Sequence, residues 1–431
     1  MQYRPVVTSF IQNTKKILLL RRSSNVGSYR GRWAAVSGYL EGDENAVQRA
    51  MTEIREEIGL TSEQITLVRA GEVLRVYDGD ADVVWVIHPF LFETNEPNVR
   101  LDWEHVEFQW VRPDALREYE TVPKLRETFD RVRWDLQAVP VALSNVTRQI
   151  EDIAQDRTHG ASYLGSQAIE IMSEVSKLSQ AGSPDDLFHD LFLVALRLRD
   201  AQPGMATLRN LLGRLLYRVD SRRFEFTSAM EFKQIVGSIV DEELSSIRKS
   251  LDDASKNCAL ALPETCRVLT HSYSSTVSKA LQFAYQFGKR PEVYATESRP
   301  GEEGVRLVKD LSSRKIQARL VPDVTAPSEM PDVDLVVVGA DSVMTDGSLV
   351  NKIGTTKIAM LSDARSIPVY VVCETAKFSI SDFLGEPTRI AETLFDLTPD
   401  KYISKIFTER GAIQPLEVEQ QIRRSLRELY T

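Results

Sequence analysis

Gly38-Tyr-Leu-Glu-Gly-Asp-Glu44-Asn-Ala-Val-Gln-Arg-Ala-Met-Thr52-Glu53-Ile54-Arg-Glu56-Glu57-Ile58-Gly59-Leu60 is the stretch that decides how the first third of this chain folds. A glycine loop runs into an amphipathic helix that carries Glu53, Glu56 and Glu57. Steps of three and four residues keep Glu56 and Glu57 on roughly the same helix face as Glu53. Three carboxylates this close repel one another at neutral pH and weaken the helix that bears them. A bound divalent cation reverses that sign, and hard oxygen ligands suit Mg²⁺ or Mn²⁺. The pattern predicts a metal-binding helix rather than a solvated acidic face.

The spacing resembles the Nudix box: Gly, five residues, Glu, seven residues, then Arg-Glu-aliphatic-any-Glu-Glu-any-Gly-aliphatic. Gly38, Glu44, Glu53, Ile54, Glu56, Glu57, Gly59 and Leu60 match it. Thr52 departs from it, standing where the family has an Arg that helps orient the glutamates. The resemblance implies an α/β/α sandwich over residues 1–138 and a Mg²⁺-dependent hydrolase. The implied substrate is a nucleoside diphosphate linked to another group, with an ADP-ribose-like compound favoured. Glu53, Glu56 and Glu57 would hold the metal with help from the Gly38 carbonyl. Whichever of Glu56 and Glu57 the metal leaves free would take a proton from the attacking water. Glu104 and Glu107 lie where family members often add a carboxylate, although a solvated loop charge suits each of them as well.

The chain has 431 residues, enough for two or three domains. With 42% hydrophobic and 27% charged residues it reads as globular. A net charge of −9 argues against general nucleic-acid binding. Arg21, Arg22, Arg30 and Arg32 form a local basic cluster near the glycine loop, suited to a phosphate-bearing substrate. Cys258, Cys266 and Cys373 are too few for a disulfide framework. No apolar signal region and no run of 18 apolar residues occurs, so the expectation is a cytoplasmic protein without a membrane anchor.

Short strands at Val6–Ile11 and Lys16–Leu20, joined at Asn13-Thr14, precede the box, and Val83–Ile87 and Phe108–Val111 follow it. Pro140 and a change of pattern put a boundary in Asp135–Ser144. Residues 145–255 are helical by period: Ile169, Met172, Val175 and Leu178 recur on one stripe, Leu187, Leu191, Val194 and Leu198 on another. Ser183-Pro184-Asp185-Asp186 reads as a helix start. From 260 to 431 short apolar strands alternate with helices: Val268–Thr270, Glu292–Thr296, Gln317–Val321, Asp334–Gly339 and Val369–Cys373, with helices at Thr276–Phe287 and Gly304–Ser312. That alternation predicts an α/β, doubly wound parallel, Rossmann-like sheet, with ligands beyond the carboxyl ends of its strands.

Polar groups cluster at those ends: Thr270-His271-Ser272-Tyr273-Ser274, Glu297-Ser298-Arg299-Pro300, Gly339-Ala340-Asp341-Ser342 and Asn351-Lys352-Ile353-Gly354-Thr355. Hydroxyls with Arg299 and Lys352 make an anion pocket, and Asp341 beside them could bind sugar hydroxyls or move protons. Residues 145–431 resemble the superfamily of the α, β and δ subunits of translation initiation factor 2B. That superfamily also holds ribose-1,5-bisphosphate isomerase and methylthioribose-1-phosphate isomerase. Arg157-Thr-His-Gly160-Ala161, the run from Gly339 to Thr355 and Thr398-Pro-Asp-Lys-Tyr402 carry the resemblance. It implies a ligand site of Arg157, Gly160, Ala161, Ser272, Arg299, Asp341, Asn351 and Lys352, and a homodimer or higher assembly through this domain. The isomerases use a Cys and an Asp. Asp341 lands on the Asp, but Ser272 stands at the Cys position, and a serine hydroxyl is far less acidic than a thiol. Cys266, six residues earlier, is roughly 20 Å away along an extended strand.

Three readings follow. In the first, a Nudix hydrolase is fused to a domain that binds a sugar phosphate or nucleotide, AMP or ribose 5-phosphate if the substrate is ADP-ribose. In the second, the chain is an initiation-factor-related regulator or scaffold, favoured by the departures at Thr52 and Ser272. In the third, the second domain is an aldose–ketose isomerase.

Overall fold

The computed structural model describes residues 1–134, 144–326, 330–386, 390–391 and 393–430. The chain divides into two compact units, Met1–Ala138 and Val139–Thr431. Most of the expected boundary segment, residues 135–143, lies outside the described residues.

The first unit runs β1 (Gln2–Asn13), β2 (Lys16–Arg22), β3 (Trp33–Ala34), β4 (Val36–Tyr39), α1 (Ala46–Ile58), β5 (Ile65–Ala70), β6 (Leu74–Asp78), β7 (Val83–Thr94), β8 (His105–Val111) and α2 (Leu125–Arg133). The strands form one mixed sheet in which β1 lies parallel to β7 and antiparallel to β4. The first hairpin pairs Asn13 with Lys16, so its turn is Thr14-Lys15, one residue later than expected, with Thr14 at φ 55°. Strand period divides the core. Val7, Ile11, Leu18 and Leu20 pack with Ile54 and Ile58 of α1, while their neighbours Phe10, Ile17 and Leu19 pack with Phe129 and Val132 of α2. Alternate residues of one strand thus bury against helices on opposite sides, which makes the α/β/α sandwich. Each fully buried Leu, Ile or Phe is worth about 1.5–3 kcal/mol.

The second unit begins with α3 (Ser144–Gln155), α4 (Ala161–Leu178), α5 (Pro184–Ala201), α6 (Ala206–Arg222) and α7 (Ala229–Ala261). Ser183 caps α5 by accepting from the Asp186 N–H, with Pro184 in the first turn, as the sequence predicts. Leu187, Leu191, Val194 and Leu198 are all buried along it. Then come β9 (Thr265–Thr270), α8 (Ser275–Gln286), β10 (Arg290–Thr296), α9 (Glu303–Ser313), β11 (Ala318–Val321), β12 (Leu335–Val338), β13 (Ser342–Val343), β14 (Leu349–Lys352), α10 (Thr355–Asp363), β15 (Val369–Val372), β16 (Phe395–Thr398), β17 (Lys405–Thr408) and β18 (Gly411–Ile413). The main sheet is ordered β11-β10-β9-β12-β15-β17-β18, parallel except for the last pair. The chain builds outward from β9 to β11, then returns to the other side of β9 with β12. Loops leaving β9 and β12 diverge there, and such a switch point opens a crevice at the carboxyl ends. A small antiparallel sheet, β13-β14-β16, had no sequence signal of its own.

Candidate functional site

In the first unit α1 is fixed at both ends. The Asn45 side chain accepts from the Val47 and Gln48 amides, and Gly59 closes the helix in a left-handed conformation, its N–H on the Arg55 carbonyl. Ile54 and Ile58 seat the inner stripe, which forces their neighbours Glu53 and Glu57 inward. Glu53 is 7% exposed and Glu57 4%, whereas Glu56 is exposed. Glu53 pairs with Arg49 one turn earlier, and burial pushes its carboxyl up against that pull. Burial pushes Glu57 well above the usual carboxylate range, helped by the charge of Glu53. Glu57 Oε1 accepts from the Ser37 amide at 3.2 Å, while Oε2 has no hydrogen-bond partner. A Cβ on Gly38 would stand 1.7 Å from Glu53 Oε1, so the strand backbone and the carboxylate are packed face to face, and only glycine fits.

His105 completes this cluster, and sequence reasoning missed it. It is 5% exposed, its Nδ1 lies 3.0 Å from Asp102 Oδ1, and its Nε2 lies 3.7 Å from Glu57 Oε2. The Asp102 carboxylate only accepts, so Nδ1 carries the proton and Nε2 turns a lone pair toward Glu57. Burial lowers the His105 pKa, which keeps the ring neutral. Arg22 lies opposite His105 in the β2–β8 ladder, so the histidine was readable only once that register was known. The other expected residues fall out unevenly. Glu104 is close enough to Glu53 and Glu57 to raise both, while Glu107 pairs with Arg21 at 3.4 Å. Thr52 turns its hydroxyl back to the Gln48 carbonyl and touches neither buried glutamate by hydrogen bond.

These residues meet part of what a divalent cation needs. An orphaned, desolvated carboxylate oxygen, a second carboxylate beside it and a glycine backbone with no room for a side chain suit a hard cation. Among the described residues no three acidic, His or Cys side chains already converge as a ligand set. Glu53 is held by Arg49, and Glu56 faces outward.

In the second unit Arg157, Gly160, Ala161, Ser272, Asp341, Asn351 and Lys352 line one cavity of about 480 Å³ at the switch point. Arg299 does not. Its guanidinium is 64% exposed and lies 3.1 Å from Glu297 and 3.3 Å from Glu302, so neighbouring acids hold it outside. Desolvation pushes the Asp341 carboxyl up, and Lys377 and Lys352 pull it back. Lys352, 6% exposed, lies 2.7 Å from Glu303, and Lys377, 4% exposed, lies 3.5 Å from Glu374. Lys377 and Glu303 escaped the sequence reading, although Lys377 follows the end of β15 by the same carboxyl-end rule. The Ser272 amide donates to Ser298 Oγ at 2.6 Å, and Ser272 itself sits at φ 67°. The Gly339 loop passes so close that a Cβ there would meet Ser274 Oγ at 2.5 Å. His271 is 4% exposed. Its Nε2 faces the Ile353 carbonyl at 2.8 Å, so that nitrogen carries the proton and Nδ1 accepts from Thr296 Oγ at 2.6 Å. With both nitrogens spent, His271 ties β9 to the Lys352–Gly354 loop. Arg209 pairs with Glu386.

The initiation factor 2 subunit family profile matches residues 157–386. The chain belongs to this family. The NUDIX domain profile matches residues 2–132, so this family member carries a NUDIX domain and, with it, a hydrolase of phosphoric anhydride bonds. The family's ribose 1,5-bisphosphate isomerase from Archaeoglobus fulgidus is 29% identical over 293 residues, covering 63% of this chain and 91% of that protein. The crystal structure of Pyrococcus horikoshii translation initiation factor eIF-2B shares 26% identity at a TM-score of 0.55, over 63% of this chain and 98% of that one. The tetrameric eIF2B-beta2-delta2 complex from C. thermophilum shares the fold, with 20% identity and a TM-score of 0.53 over 65% of this chain and 95% of that one.

Proposed function

We propose that the first unit is a Mg²⁺-dependent hydrolase of a nucleoside diphosphate linked to a second group, with ADP-ribose-like compounds favoured. The observation that carries this is the Glu57 oxygen buried without a partner beside Glu53: an arrangement that costs stability unless a cation or a proton occupies it. Glu53 and Glu57, with the Gly38 carbonyl, would hold the ion. Glu56 would swing in from the surface to join them. When bound, Mg²⁺ or Mn²⁺ neutralises diphosphate oxygens and acidifies water. The chain's own part is to place that water and take its proton. Of Glu56 and Glu57, the one with a carboxylate oxygen left free by the ion would take that proton, and His105 Nε2 lies 3.7 Å from Glu57 Oε2. Arg49, one turn before Glu53, would align it, a contact that the Thr52 side chain does not make. The test is phosphomonoester release from a panel including ADP-ribose. Cleavage of at least one compound in Mg²⁺ and none in chelator is expected; no cleavage of any would sink the proposal.

The second unit, on this reading, binds a sugar phosphate or nucleotide in the switch-point cavity, with Lys352 and Lys377 offsetting anionic charge and Asp341 accepting from sugar hydroxyls. Calorimetry with ribose 5-phosphate and AMP tests it, and no heat with either would count against it. The desolvated Asp341 also favours a second reading, aldose–ketose isomerisation of ribose 1,5-bisphosphate. Appearance of ribulose 1,5-bisphosphate would establish that. The family likeness favours a cytoplasmic homodimer or larger assembly through this unit; among the described residues no helix is long and apolar enough to cross a membrane.

A further inference from the structure

The first unit contains a second concavity, of about 840 Å³, whose wall carries Tyr29, Tyr39, Trp85 and Trp103 together with Arg4 and Arg22. Three of its groups come from neighbouring strands in one register. Arg4 of β1 is paired with Trp85 of β7, and its guanidinium lies 6.0 Å from the indole centroid. Tyr39 of β4 pairs with Val6, two residues along from Arg4, so it shares their face of the sheet, and its ring stands 6.3 Å from Trp85. Tyr39 is 49% and Trp103 66% exposed, an uncommon amount of aromatic surface to leave in water. Tyr29 donates its hydroxyl to Asp78 Oδ2 at 2.7 Å, while Asp78 Oδ1 accepts the Asp80 and Ala81 amides. That carboxylate is therefore occupied in fixing Tyr29 and the turn.

The concavity adjoins the glutamate cluster. Arg22 in its wall is the ladder partner of His105, and Glu104 in its wall precedes His105, whose ring is 3.7 Å from Glu57. We propose that this concavity holds the planar base of the nucleotide by stacking on Trp85 and Tyr39, with the phosphates running past Arg22 toward Glu104 and Glu57. The proposal rests on the hydrolase reading for its direction, and deepens it by naming how substrate is chosen. Stacking reads a π-face, which every base has. The site thus selects nucleotides over plain sugar phosphates while discriminating weakly between adenine and guanine.

The experiment is equilibrium binding of ADP, GDP and ribose 5-phosphate to the full chain in chelator, where no turnover obscures it. Trp85→Ala and Tyr39→Ala, with Trp85→Phe as the stacking-competent control, are compared with the unsubstituted first unit, all in a Lys352→Ala background that weakens the second unit's own ligand cavity. The expected result is ADP affinity weakened about five- to a hundredfold in either alanine variant. It should be largely kept in Trp85→Phe, and GDP should bind within a few-fold of ADP. ADP affinity unchanged in both alanine variants overturns the assignment. Since Tyr39 is half exposed, its variant guards against a folding defect at Trp85. Binding that depends on Trp85 in a chain that cleaves nothing would refute the hydrolase reading and keep this site; turnover indifferent to both aromatics would do the reverse.

Discussion

Replacing Glu57 by Gln should make the first unit more stable and nearly inactive at once. In the folded chain the Glu57 carboxyl titrates well above its ordinary 4.5, because burial and the charge of Glu53 disfavour the anion. A carboxyl with a raised folded pKa penalises the fold as pH climbs from about 4.5 through the folded value, and the penalty stays above it. Gln removes the charge, keeps an oxygen for the Ser37 amide, and offers an N–H to the lone pair of His105 Nε2, 3.7 Å from the present Oε2. Removing one buried unsatisfied acceptor is worth about 1–3 kcal/mol. A unit of this size gains roughly 3–5 °C of Tm per kcal/mol. Thermal unfolding in chelator at pH 7–8 should show that rise. Mg²⁺ should stabilise the wild type and do little for the variant. Turnover should fall about 10²–10⁴-fold, the usual worth of a general base. A variant that is less stable than wild type in chelator, or that turns over at a near wild-type rate, refutes the reasoning.

Further tests follow from the same geometry. Gly38→Ala drives a methyl to 1.7 Å from Glu53 Oε1, so it should abolish metal-dependent turnover while the second unit still binds its ligand, as calorimetry on one sample would show. Arg49→Ala strips the partner from a buried Glu53 and should destabilise the first unit by about 1–3 kcal/mol in chelator, a gap that saturating Mg²⁺ narrows. Burial depresses the His271 pKa below its ordinary 6.5, so the stability it leaves intact at neutral pH is lost as pH falls below about 6.5. The second unit's Tm should drop over that range, and His271→Gln should flatten the drop. Lys377→Met removes a cation that helps keep Asp341 charged, and should weaken sugar-phosphate binding about tenfold or more by calorimetry.

Much of this architecture is written in local periodicity. Alternation along Phe10–Ile11 and Ile17–Leu20 dictates a sheet covered on both faces, and the strand–helix rhythm from β9 to β15 dictates the doubly wound sheet and hence the crevice. Seven of the eight residues expected to form the ligand site do share one cavity, because the carboxyl-end rule depends on topology rather than on side-chain detail. Arg299 obeys the same rule and still falls outside, captured by its neighbours Glu297 and Glu302. What the sequence hid is register. His105 reaches Glu57, and Arg4 and Tyr39 reach Trp85, only through pairings between distant strands. Arg49 was hidden differently: it occupies one of the box's seven unspecified positions, so the pattern assigns no role to the guanidinium one turn before Glu53.

The central claim is that carboxylates on α1, with a divalent cation, direct water onto the phosphorus of a nucleoside diphosphate. The most direct measurement is mass spectrometry of the phosphomonoester products formed in ¹⁸O-labelled water, with Mg²⁺ and with chelator, for wild type and Glu57→Gln. The account predicts one ¹⁸O on a single phosphomonoester per turnover, present only with Mg²⁺ and lost in the variant. Label appearing without metal, or at an undiminished rate in Glu57→Gln, would contradict it.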